Sequence, residues 1–250
     1  MSALSKSRRL PDESQDWLSR LEQGPSTHLA LCVYNISRVR AAAPELLVGD
    51  LTQQTSQQRL VQLLHQGISM DVELQSWSDN IPESYHYKEL SSANAPRQQT
   101  SNLLPMQPSN VHVYQDIWVA NLWNHYRFAR IRLLETLVDC ESRLDFPENL
   151  EMRLQESSIS LRNWNESMFK MVDDICASVP FLMGDIDVHG NLNRGSGGIA
   201  LGGYYLLWPL HVASSARIIG ADQKAWIKGR LRHLGAVMGI NQAHLLAAMV

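Results

Sequence analysis

Cysteine is scarce in this chain, with three among 250 residues. Cys32, Cys140 and Cys176 lie far apart, and their odd number with no Cys-x-x-Cys pair argues against a disulfide framework and for a reducing compartment. The nine histidines are scattered singly. No His-x-x-x-His or His-Glu-x-x-His spacing occurs, so neither a metal nor another cofactor is expected. Basic runs are lacking as well, the longest being Arg8-Arg9, and 22 Lys and Arg against 25 Asp and Glu leave a net charge of −3. Phosphate neutralisation has no local source, so direct DNA binding by this chain alone is not expected. The N-terminal "MSALSKSRRLPDESQDW" meets Pro11 and Asp12 where a signal peptide needs an apolar run. The sequons at Asn35 and Asn165 therefore carry little weight. The stretch Gly195 to Ala216 has no formal charge over 22 residues, long enough for a bilayer. Gly, Ser, Tyr, His211 and Pro209 dilute it, and it reads as a buried helix, with no membrane partner expected.

What is present is apolar content, 44% of residues, arranged with helical period. Trp118, Leu122, Tyr126, Ala129, Leu133, Leu137 and Cys140 recur at spacings of three and four, which predicts one face of a long helix. Leu161, Trp164, Met168, Met171, Ile175 and Val179 predict a second, and Ile227, Leu231, Leu234 and Met238 a third. Upstream, Ser26 to Ala43 reads as a helix ending before Pro44, and Ser56 to Trp77 as its successor, carrying Leu60, Leu63, Leu64 and Ile68. No segment alternates with period two long enough to predict a strand. The expected fold is all-α, a multi-helix bundle, with residues 1–25 an N-terminal extension and 26–250 one helical domain. Within it the Pro-, Ser-, Asn- and Gln-rich stretch around 80–110 is expected to be a mobile connection.

Several motifs offer chemistry and fail a physical test. Gly195-x-Gly197-x-x-Ala200 matches a dinucleotide fingerprint, yet the loop "GDIDVHGNLN" precedes it where a buried strand is required. Gly202 and Gly203 are expected instead to let backbones approach before "YYLLWPL" fills the interior, with Pro209 kinking that helix. Asp185, Asp187, His189 and Gly190 take positions 1, 3, 5 and 6 of a calcium loop, but Ser196 stands where a bidentate Glu belongs. Asp173 and Asp174 point about 100° apart on a helix and do not share one proton. Cys176, between Ile175 and Ala177 with no electropositive neighbour in sequence, reads as a small hydrophobe. Arg127, Arg130 and Arg132 share a helix with Glu135 and Asp139, and a solvated stripe is expected, with Arg132 paired to Glu135. The sharper alternative buries Arg127, with Trp123 one turn before it to stack on the guanidinium.

The phrases "WNHYRFARIRLLETL", "DDICASVPFLMG", "GGYYLLWPLHVASSA" and "WIKGRLRHLGAVMGINQAHLLA", preceded by "RAAAPELLVGD" and "ELQSWSDNIPESYHY", resemble in this order the C-terminal fungal-specific regulatory region of Zn(2)-Cys(6) binuclear cluster transcription factors. The resemblance covers roughly residues 30 to 248. It implies an all-helical regulatory domain in the nucleus, without enzymatic activity, in transcription regulators that often control secondary-metabolite or catabolic genes. The six cysteines and basic linker of that family's DNA-reading module are not present among these residues. The resemblance thus implies action through protein partners, a full-length regulator or the transcription machinery, and through a possible small-molecule effector. Trp118, Trp123, Arg127, Tyr204, Trp208 and His211 are the candidate ligand pocket, chosen for aromatic and polar content near the expected core. The alternatives are a fragment of a longer DNA-binding regulator, or a helical enzyme of a metabolite pathway.

Overall fold

A computed structural model describes residues 20–22, 24–49, 54–91, 110–144, 161–193 and 200–249. The elements are α1 (Pro25–Val48), α2 (Gln54–Asp79), a 3-10 turn (Glu83–Tyr85), β1 (Lys88–Ser91), β2 (Asn110–Val113), α3 (Ile117–Arg143), α4 (Leu161–Leu182), α5 (Ala200–Ser215), α6 (Ala221–Met238) and α7 (Asn241–Ala248). The architecture is an all-α, multi-helix bundle to which the short antiparallel pair β1–β2 is added, in the register Lys88↔Val113 to Ser91↔Asn110. That pair corrects the expectation of no strands. Four-residue strands are too short for alternation to show against helical period, and pairing across residues distant in sequence supplies what local pattern lacks.

The chain divides into two compact units, Met1–Ile81 with Ala129–Met168 and Pro82–Phe128 with Phe169–Val250. In the first, α1 and α2 form an antiparallel helical hairpin. Leu29, Cys32, Ile36, Val39 and Ala43, spaced by three and four, bury one stripe of α1, and Leu60, Leu63, Leu64 and Leu74 bury the matching stripe of α2. The Trp77 indole donates to the Pro25 carbonyl at 2.9 Å, fastening the end of α2 to the start of α1. A Cβ at Gly67 would meet the Leu137 side chain, so α2 approaches the 129–143 segment of α3 more closely than any larger residue permits. Arg130 reaches buried Asp71 through Nε at 2.7 Å and Nη2 at 3.2 Å. Arg143 donates to the Leu47 and Gly49 carbonyls at 3.1 and 3.2 Å, satisfying acceptors left open at the end of α1.

Helix α1 runs four residues past Pro44, correcting the expected stop before that residue. A proline this near a C-terminus removes one helical hydrogen bond, and the bonds from Arg143 hold the final turn.

In the second unit, the glycines do what the sequence suggested. A Cβ at Gly202 would collide with the Leu182 carbonyl of α4, and one at Gly203 with Met238 and Leu234 of α6. Gly235 of α6 takes His244 of α7 against it in the same way. The expected filling by "YYLLWPL" holds for buried Leu206, Leu207 and Leu210, whereas Tyr204 faces out. Gly195 to Ile199 lie outside the described residues. Among the described residues, no helix is long and apolar enough to cross a membrane.

Candidate functional site

The polar centre of the second unit is Arg127, whose side chain is 1% exposed. Asp116 starts the helix that carries it, its carboxylate accepting the Trp118 and Val119 amides at 2.8 and 2.9 Å. Trp123 and Asn124 stand four and three residues before Arg127 on α3, one turn away and flanking it. Arg127 Nη1 donates to the Tyr114 hydroxyl at 2.7 Å and to Asn124 Oδ1 at 3.0 Å, and Nη2 donates to His112 Nδ1 at 3.1 Å. The Asn124 amide in turn donates to Ser178 of α4 at 2.9 Å. Aromatic rings enclose the cation, with Tyr87, Trp123 and Tyr114 centred 5.0, 5.7 and 5.9 Å from the guanidinium carbon. The Trp123 indole donates to the Tyr85 carbonyl at 2.7 Å, which pins the approach to β1.

Asp174 stands 3.9 Å from both Arg127 Nε and His112 Nε2 and is bridged to Lys170 at 3.3 Å. Burial, with the positive charges of Arg127 and Lys170, pushes the His112 imidazole down to about 2. His112 is therefore neutral, and because Nδ1 accepts from Arg127, the ring proton sits on Nε2 facing Asp174 and Glu89. Burial works against the Arg127 charge, but the Tyr114 oxygen and Asp174 oppose it and the guanidinium stays protonated. Tyr87 and Tyr114 are both pushed above the usual phenol range by burial, so neither supplies a phenolate.

This arrangement corrects the solvated stripe. Arg127 and Arg130 are buried, and the sharper alternative is the one observed, Trp123 included. Only Arg132 follows the expected pattern, half-buried and paired to Glu135 at 2.7 Å. The partners that bury Arg127 come from β2 and α4, and no local signal in α3 announces them. "NVHVY" does alternate, but over too few residues to be read as a strand.

The six candidate pocket residues fall into three groups. Trp123 and Arg127 meet in the buried cage, and Trp208 packs on His211 with ring centroids 5.9 Å apart. Trp118 and Tyr204 both flank Tyr205, at 5.6 and 6.5 Å. Trp118 is 62% exposed and Tyr204 55%, which corrects their expected place near the core. Eight residues of helix advance about 800°, so Trp118 is rotated roughly 80° from Tyr126 despite the even spacing. A groove of about 770 Å³ lies elsewhere, in the first unit between α1 and α2, lined by Asn35, Arg38, Val39, Leu63, Gln66 and Met70 among others.

The remaining candidates are engaged by their own surroundings. Asp173 accepts from Gln223 at 2.6 Å while Asp174 turns to Lys170, so the adjacent carboxylates diverge as expected. In the loop after α4, Asp187 Oδ1 accepts the His189 and Asn191 amides, both at 2.9 Å, and Gly190 takes φ +82°. Cys176 is buried, and burial with the nearby Asp173 pushes its thiol up, although Arg230 is an electropositive neighbour that its flanking sequence does not show. Burial also holds Cys140 up at about 11. Among the described residues, His28, Cys32 and Glu73 bring ligand atoms within 4.8 Å of one another, a grouping that no sequence spacing announces.

Comparison with known proteins finds one regulator. Over 146 residues, 56% of this chain, the sequence is 31% identical to "Transcription factor dbaG" of Emericella nidulans. The match takes in 32% of that protein, so the chain spans about a third of its relative's length. No family model matches the chain, and no solved structure matches it.

Proposed function

We propose that this chain is a non-catalytic regulatory module of fungal transcription control, acting in the nucleus through protein contacts and a small effector. The observation that carries the reading is the 31% identity to dbaG over 146 residues. Two features of the site support it. The titratable groups around Arg127 are spent on one another, with a neutral His112 and two phenols above their usual range, which suits a structural clamp and not acid/base turnover. The three cysteines are buried thiols with raised pKa, the opposite of an activated nucleophile. DNA contact is left to a partner, because the chain carries no basic run to neutralise phosphates.

The test is to fuse the chain to a heterologous DNA-binding domain and read a reporter in a fungal host, alongside transcript profiles of a strain lacking the gene. The expected result is a reporter change of several-fold, reduced by the paired exposed-residue variant W118A/Y204A while the protein level holds. An unchanged reporter together with unchanged transcripts in the deletion strain would overturn the reading. Turnover of a metabolite by the purified chain would replace it with the enzyme alternative.

A further inference from the structure

The open end of the α1–α2 hairpin gathers three different ligand types. His28 and Cys32 stand four residues apart on α1, hence one above the other on a single face. Glu73 faces them from α2, at a level held by the hydrogen bond from Trp77 to Pro25 a turn beyond. His28 Nε2 lies 3.3 Å from Glu73 Oε1, and the Cys32 thiol hydrogen-bonds the same carboxylate. One nitrogen, one sulfur and one oxygen from these side chains fall within 4.8 Å of one another. The His28 and Glu73 side chains are 48% and 44% exposed, while Cys32 forms the buried floor at 1%.

We propose that His28, Cys32 and Glu73 form a binding site for a divalent transition-metal ion, zinc by preference, that staples the open end of the hairpin. The donor set selects the ion. Calcium and magnesium demand shells of oxygen, whereas a thiolate, an imidazole and a carboxylate together suit zinc, which takes all three at about 2.0–2.3 Å. A tetrahedral shell with such bonds places its ligand atoms roughly 3.4–3.7 Å apart, so closing the site from its present spacing asks for a movement of about 1 Å. Two of the three side chains are half in solvent and free to make it. Charge balances in the bound state: the Cys32 thiol gives up its proton to solvent as the ion binds, and thiolate and carboxylate then offset the ion's two positive charges over the buried floor. Solvent reaches the site past His28 and Glu73, so water completes the fourth position.

The site lies in the first unit and owes nothing to the Arg127 cage or to the regulatory reading. It also differs from the six-cysteine cluster of the regulators that the sequence resembles, both in ligands and in having room for one ion. What it adds is a cross-link between two helices that the Trp77 indole bond and the His28–Glu73 pair also tie at that end. Metal binding to the folded hairpin but not to the unfolded chain stabilises it by an amount that grows with the logarithm of the free ion concentration above Kd.

The whole chain, freed of metal, is titrated with Co²⁺ and followed in the near-ultraviolet and visible, where a thiolate bound to cobalt gives a charge-transfer band. The expected result is a band saturating at one equivalent, abolished by stoichiometric Zn²⁺, and an upward Tm shift with Zn²⁺ alone. C32S removes the band, and H28Q and E73Q each weaken affinity at least roughly ten-fold, the least that loss of a direct ligand should cost. H28Q and E73Q alter exposed side chains, so helical circular dichroism unchanged from the wild type keeps them informative if C32S fails to fold. C140S and C176S should keep the band. No thiolate band in the wild type, or one that survives in C32S or follows Cys140 or Cys176, would overturn the proposal. A Zn²⁺-dependent Tm shift equal in H28Q, E73Q and the wild type would overturn it as well.

Discussion

Acidification should loosen the second unit through His112 well before its carboxylates are titrated away. The folded imidazole is pushed down to about 2, from an ordinary value of 6.5, by burial and by the charges of Arg127 and Lys170. An unfolded chain takes up that proton near 6.5 while the folded chain refuses it. The stability this represents is fully present above about pH 6.5 and drains away as pH falls toward 2. One proton of difference is worth about 1.4 kcal/mol per pH unit once the unfolded imidazole is fully protonated, so between pH 6.5 and 4.5 the loss from this group is about 2 kcal/mol. Urea unfolding at half-unit pH steps, read by tryptophan fluorescence with Trp123 as a reporter inside the cage, gives the slope. Other acids and His125 titrate too, so the comparison is with His112→Asn, whose amide oxygen takes the place of Nδ1 as acceptor for Arg127. That variant should be weaker at pH 8 and flatter by about 1.4 kcal/mol per unit below 6.5. Equal slopes in the two proteins would refute the claim that His112 is held neutral by the cage.

Arg127→Met should destabilise by about 3–5 kcal/mol in urea melts at pH 8, since it strips the donor from Tyr114, Asn124 and His112 inside a buried site, and Arg127→Lys should recover little of the planar geometry. Asp71→Asn removes the charge opposite the buried Arg130 guanidinium, and a loss of about 3 kcal/mol is expected in the same assay. Gly202→Ala drives a Cβ into the Leu182 backbone carbonyl and should cost about 1–3 kcal/mol, whereas Gly203→Ala meets the flexible end of Met238 and should cost less, an order that paired Tm measurements check directly.

The helices were legible in the sequence because each buries one face against neighbours on a regular three-and-four spacing, which is a local pattern. Leu60, Leu63 and Leu64 on α2 and Ile227, Leu231 and Leu234 on α6 are buried as that pattern requires. Gly202 and Gly203 were legible for a related reason, since two small residues before bulky ones have one economical use in a packed helix. Trp118 failed because spacing by four drifts around the helix, and a residue at the first turn has no later turn to correct it.

The cage and the proposed metal site were illegible for a different reason. Each is built from residues that no local rule connects. His112 belongs to a strand too short to recognise and Tyr114 follows it directly, Asp174 lies 47 residues beyond Arg127, and Glu73 lies 41 beyond Cys32. A charged residue on a helix carries the same local signature whether it meets water or a buried partner, so local pattern assigns the arginine stripe to solvent, whereas β2 and α4 receive Arg127 and Asp71 of α2 receives Arg130. The same logic separates the two clusters functionally. Around Arg127 both terminal guanidinium nitrogens donate to buried acceptors and the rings close over the charge, an arrangement that resists change. Around Cys32 two of three ligand atoms still face solvent, and the carboxylate serves both other groups at once. A divalent ion relieves that sharing by giving each ligand its own bond, whereas no ion could enter the Arg127 cage without first displacing a guanidinium. If one of the two clusters exchanges with the medium, it is therefore the hairpin site, and the cobalt titration asks that question of Cys32 directly.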